Sequence, residues 1–192
     1  MSLPRLAAAL LYAALGLTAT PAAALTADER AGLEALKAGD MRKLIVADDP
    51  QPAPEVALVG PDGAETTIAA GGGRLRVVNF WATWCAPCRA EMPSLAALAE
   101  TRGADGLDIA LVATGRNGAD AIERFAEEVG FPGLETHLDP KSRLAAAMGV
   151  PGLPVTVLLD ADGAEIARLL GEADWSAPEA LAVIDYLLAL PR

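Results

Sequence analysis

The chain has few of the residues that bind metals or nucleic acids. Its 192 residues include two cysteines and one histidine, and its 15 lysines and arginines face 26 aspartates and glutamates. A structural zinc ion takes four ligands, so two thiols and the distant His137 do not form such a site, and we expect His137 to be structural. The formal net charge of −11 argues against binding to nucleic acid or anionic lipid. There is also no glycine-rich phosphate loop.

Met1–Ala24 has the pattern of a targeting segment. Arg5 gives it a positive start, Leu6–Leu17 is an uninterrupted apolar run, and Ala22–Ala24 is a small-residue cleavage site. This pattern predicts a cleaved signal peptide and a periplasmic protein. An uncleaved anchor in the inner membrane is the alternative, although the apolar run is shorter than the ~20 residues that usually span a bilayer. In either case the rest of the chain lies outside the cytoplasm, where disulfides form.

The only two cysteines, Cys85 and Cys88, lie within Val77–Pro93, where a run typical of a buried strand changes into a helical pattern. The N–H groups at a helix start favour a negative charge, so a thiolate is stabilised there. A structural disulfide of this spacing would close a very short loop and add little stability. Covalent haem attachment needs a histidine where Arg89 stands. The pattern therefore predicts thiol–disulfide exchange, with Cys85 attacking and Cys88 resolving the mixed disulfide.

The remaining segments alternate between strand and helix patterns. A capping box at Thr26–Glu29 opens a helix, and the proline-rich Asp48–Pro54 reads as an extended connection. Further along the chain we predict a hairpin of Val56–Val59 and Glu65–Ala69, strand Leu107–Ala113, helix Asp120–Val129, strand Glu135–Leu138, helix Ser142–Met148, a hairpin of Val155–Asp160 and Glu165–Leu170, and a last helix behind a capping box at Ser176–Glu179, with Leu181, Ile184, Leu187 and Leu188 buried. This order predicts an α/β sandwich over residues 55–192, preceded by a helix and linker over 25–54.

Three segments carry a family resemblance. Asn79–Pro93, with Trp84-Cys85-Ala86-Pro87-Cys88 at its centre, resembles the active-site segment of the TlpA/ResA group of extracytoplasmic thiol–disulfide oxidoreductases. Gly149–Thr156 resembles the segment of that group in which a cis-proline faces the cysteines, and Gly171–Trp175 resembles the approach to its last helix. The match covers about Val56–Leu190. It implies a thioredoxin-like three-layer α/β sandwich with an N-terminal helix and β-hairpin extension.

The resemblance also implies substrate-binding residues. Pro154 is expected to be cis and to lie beside the backbone that accepts the substrate as an added strand. Leu153 just before it is expected to influence the choice of partner. Trp84 offers a flat contact surface next to Cys85. Pro87 lies in the first helical turn, where its missing N–H costs little, and a role in starting the helix is compatible with an influence on the redox potential.

Glu91 is the candidate for proton transfer at the thiols. ResA-type proteins have a glutamate at this position, and Glu91 follows Cys88 by three residues, on the same helical face. The alternative is an ordinary solvated charge on the helix. Thioredoxin has a buried acid where this chain has Asn79, so that route for deprotonating Cys88 is absent.

The expected function is disulfide reduction in the cell envelope, with no cofactor other than the redox-active Cys85–Cys88 disulfide. The resemblance implies client proteins with oxidised cysteine pairs, namely copper chaperones and cytochrome assembly factors, and a membrane thiol reductant such as a CcdA/DsbD-like transporter. Two alternatives stay open at this point. One is a Cu(I)-binding assembly chaperone of the Sco type, which uses the thiolates as soft ligands, and the other is a peroxiredoxin-like peroxidase.

Overall fold

The computed structural model describes residues 25–68, 74–129 and 134–190, so the predicted signal peptide lies outside the described residues. Within these ranges no helix is both long enough and apolar enough to cross a membrane. The strands are β1 (Leu44–Val46), β2 (Leu58–Val59), β3 (Glu65–Thr66), β4 (Leu75–Trp81), β5 (Leu107–Thr114), β6 (Glu135–Asp139), β7 (Val155–Leu159) and β8 (Glu165–Leu170). The helices are α1 (Ala27–Leu36), α2 (Ala86–Arg102), α3 (Ala119–Val129), α4 (Arg143–Ala147) and α5 (Pro178–Ala189), with short 3-10 helices at Gly39–Lys43 and Gly103–Asp105.

The strands form one mixed sheet in the order β1-β8-β7-β4-β5-β6-β2-β3. The central strands β4, β5 and β6 run parallel, while β7 pairs with β4 in the antiparallel sense. Parallel neighbours need a crossover connection, and α2 and α3 supply the two that join them. Both predicted hairpins are present as the antiparallel pairs β2–β3 and β7–β8, although β2 and β3 are shorter than expected.

Each face of the sheet carries its own hydrophobic core, because successive residues of β4 point to opposite faces. Val78 and Phe80 belong to the smaller core, which α4 covers. Val77 and Trp81 belong to the larger core, which contains side chains of α1, α2, α3 and α5. The result is the three-layer α/β sandwich that the sequence predicts, with the active-site helix α2 on the larger core.

The N-terminal extension is built into the larger core. The capping box at Thr26 is present, with the Glu29 backbone N–H bonded to the Thr26 hydroxyl at 3.2 Å. Leu33 of α1 is fully buried, and β1, which the sequence interpretation does not include, pairs with β8. The Arg30 guanidinium donates to the carbonyl of Ala47 just after β1, so α1 is fixed to the edge of the sheet.

The prediction for the start of the last helix is wrong in one respect. Ala177, not Ser176, is the N-cap residue of α5, and no side chain caps the helix. The Ser176 hydroxyl instead donates to the Asp174 carboxylate at 2.6 Å, which leaves Pro178 as the local signal for the helix start. The buried face also differs, since Leu181 and Leu188 are only partly buried and the fully buried positions are Ala180, Val183, Ile184 and Leu187.

Candidate active site

Cys85 and Cys88 form a disulfide where β4 gives way to α2. Cys85 is the N-cap residue of α2, and its sulfur accepts the backbone N–H of Cys88 at 3.3 Å. The Cys85 side chain retains 6% exposure, whereas Cys88 is completely buried. A partner therefore reaches Cys85 first, and a negative charge on its sulfur would meet the positive end of the helix dipole.

The turn before the disulfide is fixed to the loop that follows β5. The side-chain oxygen of Asn117 accepts the Thr83 backbone N–H at 2.8 Å and the Thr83 hydroxyl at 3.0 Å. The amide nitrogen of Asn117 donates to the Thr114 carbonyl at 2.9 Å. Sequence reasoning missed Asn117, because its role depends on two loops that meet only in the folded sheet.

The predicted substrate-binding residues next to the cysteines lie at the surface. Trp84 is 67% exposed, the highest value among the large exposed hydrophobic side chains of the described residues, and Pro87 in the first turn of α2 is also exposed. Trp81, by contrast, is fully buried and packs against Phe125, as expected for a core tryptophan. The disulfide is thus bordered by apolar surface that a partner can cover.

Leu153 and Pro154 lie immediately before β7. The peptide bond between them is cis. Pro154 is buried, and because its neighbour Val155 pairs with Phe80 in the antiparallel sense, Pro154 lies level with Trp81 at the end of β4. Leu153 packs against both cores, one of which contains the two cysteines. The fold therefore brings this segment to the edge of the sheet that carries the disulfide.

Glu91 is buried on α2 with 3% exposure, so the interpretation as a solvated helix charge is wrong. One carboxylate oxygen accepts the Asn79 amide at 2.8 Å, and the other accepts the Ala173 backbone N–H at 3.2 Å. Burial raises the pKa of Glu91 from 4.5 to about 7, although hydrogen bonds from Asn79 and Ala173 act in the opposite direction. Near neutral pH the carboxyl group is therefore able to accept or to donate a proton.

Asn79 is the strand residue beneath this carboxyl group. It is fully buried on β4, faces α2, and donates to Glu91 and to the Thr156 hydroxyl, the latter at 3.0 Å. The sequence interpretation treats Asn79 only as the loss of an acid. In the structure the acid comes from the helix instead, and the strand supplies its hydrogen-bond donor.

A cleft of about 490 Å³ runs along α2 beside Glu91. Its walls include Ser94 and the acidic residues Asp40, Glu172 and Asp174. Glu91 is itself among the lining residues, so the cleft borders the buried acid.

His137 is separated from the disulfide by the sheet. It pairs with Val112, which pairs with Phe80, and both of these belong to the smaller core on the face opposite α2. Burial lowers the pKa of His137, which favours a neutral ring. In the described ranges no cluster of three or more His, Cys, Asp or Glu side chains is placed to hold a metal ion.

The sandwich and the disulfide at its helix start define a thioredoxin-like dithiol protein. The model of the Redoxin family matches residues 48–184. The thiol:disulfide interchange protein HelX of Rhodobacter capsulatus is 33% identical over 143 residues, 73% of this chain and 78% of HelX. The thiol-disulfide oxidoreductase ResA of Geobacillus thermodenitrificans is 34% identical over 113 residues, 58% of this chain and 63% of ResA.

Among solved structures, a protein assigned as the thiol:disulfide interchange protein DsbE of Chlorobium tepidum matches with a TM-score of 0.65 and 26% identity. The match covers 73% of this chain and 97% of that one. The chain belongs to the Redoxin family, among its TlpA/ResA-like thiol:disulfide interchange proteins. It is a thiol–disulfide oxidoreductase that acts on protein substrates.

Proposed function

We propose that the protein works outside the cytoplasm as a reductant of disulfides in proteins that assemble cytochrome c and cytochrome oxidase. The observation that carries this proposal is the disulfide itself, with the Cys85 sulfur at the helix start accepting the Cys88 N–H. The targeting pattern of Met1–Ala24 supports the location. The clients are cytochrome assembly factors and copper chaperones with oxidised cysteine pairs, and a CcdA/DsbD-like membrane transporter restores the dithiol.

The reaction begins with the reduced protein. The Cys85 thiolate attacks one sulfur of the client disulfide, so that bond breaks, a client thiolate leaves, and a mixed disulfide forms. The Cys88 thiolate then attacks the Cys85 sulfur and releases the second client thiolate. Two electrons and two protons pass from the dithiol to the client. The protein needs no cofactor other than Cys85 and Cys88.

The surrounding residues have distinct roles in this proposal. Glu91 takes the proton that Cys88 loses, because the two residues share one face of α2 and the carboxyl group titrates near neutral pH. Trp84 and Pro87 provide contact surface at Cys85, while the backbone at Leu153 and Pro154 pairs with the client chain as an added strand.

Capture of the mixed disulfide tests the roles of the cysteines. In a Cys88→Ser variant the second step is blocked, so we expect a covalent adduct with an oxidised protein substrate, linked through Cys85. A Cys85→Ser variant is the matched control, and it should give no adduct because its remaining thiol is buried. An adduct formed only by the Cys85→Ser variant would reverse the assignment.

The direction of electron flow has its own measurement. Equilibration with glutathione buffers gives the reduction potential of the pair, and a reductant should lie below about −200 mV, in the range of glutaredoxins and thioredoxin. A value near −120 mV, as in a strong disulfide-forming oxidant, would overturn the proposed direction while leaving thiol–disulfide exchange intact.

Nothing in the site favours the alternative of a Cu(I) assembly chaperone. That function would gain a third ligand from the only histidine, yet His137 lies across the sheet from the thiols. A Cu(I) titration of the reduced protein with His137→Ala as control is expected to give the same affinity for both.

A further inference from the structure

The loops that follow β5 and β6 form one surface next to the disulfide. Asn117 holds the Thr83 turn that leads directly to Trp84 and Cys85. On its other side, the Gly115 N–H and the Ser142 N–H both donate to the Asp139 carbonyl, at 2.9 and 3.0 Å. A continuous path of contacts therefore runs from Cys85 to the loop at the end of β6.

This surface is positively charged. Arg116, Lys141 and Arg143 are all exposed, and none of their side chains makes an ion pair or hydrogen bond with another described residue. We call these three residues the basic loop surface. Three acidic residues are nearby: Asp120 at the start of α3, Asp139, which is buried and accepts the backbone N–H of Arg143 at 2.7 Å, and Glu128, whose charge is paired at 3.4 Å with Arg89 next to the Thr83 turn.

The charge on the other side of the disulfide has the opposite sign. The loop after β8 carries Glu172 and Asp174, which line the cleft together with Asp40. Lys43 is the cation next to them, and it pairs with Asp40 at 2.9 Å. The loops after β5 and β6 therefore present unpaired cations, whereas the loop after β8 presents acidic groups, in a protein whose net charge is −11.

We propose that the basic loop surface docks an acidic segment beside the cysteine pair of an oxidised client protein. The inference rests on the proposed function and names the chemistry of the client. A negatively charged client is repelled by most of this acidic protein, so the unpaired cations on the loops joined to the Thr83 turn direct its approach toward the disulfide. An acidic segment bound there places the adjoining disulfide within reach of Trp84 and Cys85.

Three disulfide-containing peptides of otherwise equal sequence test this inference, with Glu-Glu, Ser-Ser or Lys-Lys beside the cysteine pair. The readout is the second-order rate constant for oxidation of the reduced protein, followed by stopped-flow tryptophan fluorescence. For the natural protein at about 20 mM salt we expect the acidic peptide to react about five-fold faster than the basic one. At about 0.5 M salt the preference should disappear, because screening shortens the reach of each charge.

The variants compare two placements of the same charge change. Arg116→Glu/Lys141→Glu should abolish or reverse the peptide preference. Lys37→Glu/Arg42→Glu changes the net charge equally at exposed or half-buried positions of the N-terminal extension, and it should preserve the preference. Equal rates for all three peptides with the natural protein, or an unchanged preference in the first variant, would overturn the inference.

The remaining outcomes separate this inference from the proposed function and from a membrane role. If none of the peptides is reduced, including the neutral one, the proposed function fails; if the neutral peptide is reduced without any charge preference, only the docking inference fails. Vesicles with and without phosphatidylserine test the other anionic partner. Binding of the natural protein to the charged vesicles, lost in Arg116→Glu/Lys141→Glu, would assign the surface to lipid instead of a client.

Discussion

Replacing Glu91 with glutamine should remove a specific pH dependence of stability. Burial raises the pKa of this carboxyl group from 4.5 to about 7 in the folded protein. The folded state therefore binds a proton that the unfolded state releases between these two values. Stability from the protonated group is fully present below pH 4.5 and is lost as the pH rises through about 7.

The size of the effect follows from the shift. A pKa difference of one unit corresponds to about 1.4 kcal/mol, so the free energy of unfolding should fall by roughly 3 kcal/mol between pH 4.5 and pH 8 on account of Glu91. The Glu91→Gln variant carries no such titration and should have a flatter profile. Its stability at low pH should also be lower by about 1 kcal/mol, because the hydroxyl oxygen of the protonated carboxyl group can still accept the second of the Asn79 and Ala173 donors, whereas the amide nitrogen of glutamine cannot accept a hydrogen bond.

Urea unfolding of the oxidised protein between pH 4.5 and pH 8 measures this profile. The oxidised form is chosen because disulfide-bonded cysteines do not titrate. Glu100→Gln, at an exposed position of the same helix, is the matched control and should keep the profile of the natural protein. Parallel profiles for Glu91→Gln and the natural protein would show that the buried carboxyl group is not the source of the pH dependence.

Three further substitutions test individual contacts. Asn79→Asp would place a second carboxyl group where the Asn79 amide now lies, 2.8 Å from Glu91. Two carboxylates this close raise the pKa of one of them, so urea denaturation should show the free energy of unfolding still falling above pH 7. A pH profile equal to that of the natural protein would contradict a shared buried site. Asn117→Ala removes the acceptor of both Thr83 donors and should lower the free energy of unfolding, measured by urea denaturation, by about 1–3 kcal/mol. An unchanged free energy would mean that the Thr83 turn does not depend on Asn117. Trp84→Ala should change that free energy by less than about 0.5 kcal/mol because the ring is exposed. It should nevertheless slow the reduction of a protein disulfide in stopped flow, and equal rates would remove Trp84 from the contact surface.

The elements with strong local signals were predictable from the sequence. The apolar run of β4, the cysteine at the start of α2 and the turn signals of both hairpins each act within a few residues. The structure confirms all of these elements and the α/β sandwich that their order implies. The capping box at Thr26 is likewise confirmed, whereas the one at Ser176 fails because the Asp174 carboxylate takes the hydroxyl that would have capped α5.

The features that were missed depend on contacts between distant parts of the chain. β1 has only the three residues Leu44, Ile45 and Val46, and so short an apolar run is not enough to predict a strand from the sequence alone. The spacing of Cys88 and Glu91 places them on one face of a helix, but it does not say whether that face is covered. The cover comes from the loop after β8, whose Ala173 donates to Glu91 from 82 residues away.

The site has a buried acid although β4 carries Asn79 where thioredoxin has an acid, because Glu91 of α2 is paired with Asn79. The Glu91 carboxylate on α2 lies between β4 and the loop after β8, so an amide on β4 and a backbone N–H from that loop each reach one of its two oxygens. These donors offset part of the cost of burying the charge, and the remaining cost leaves the pKa at about 7. Without these two donors, a carboxyl group buried at this position would stay protonated throughout the neutral range, and one exposed to solvent would be ionised. The proton chemistry of the site is therefore a property of three chain segments, of which only one contains the cysteine motif.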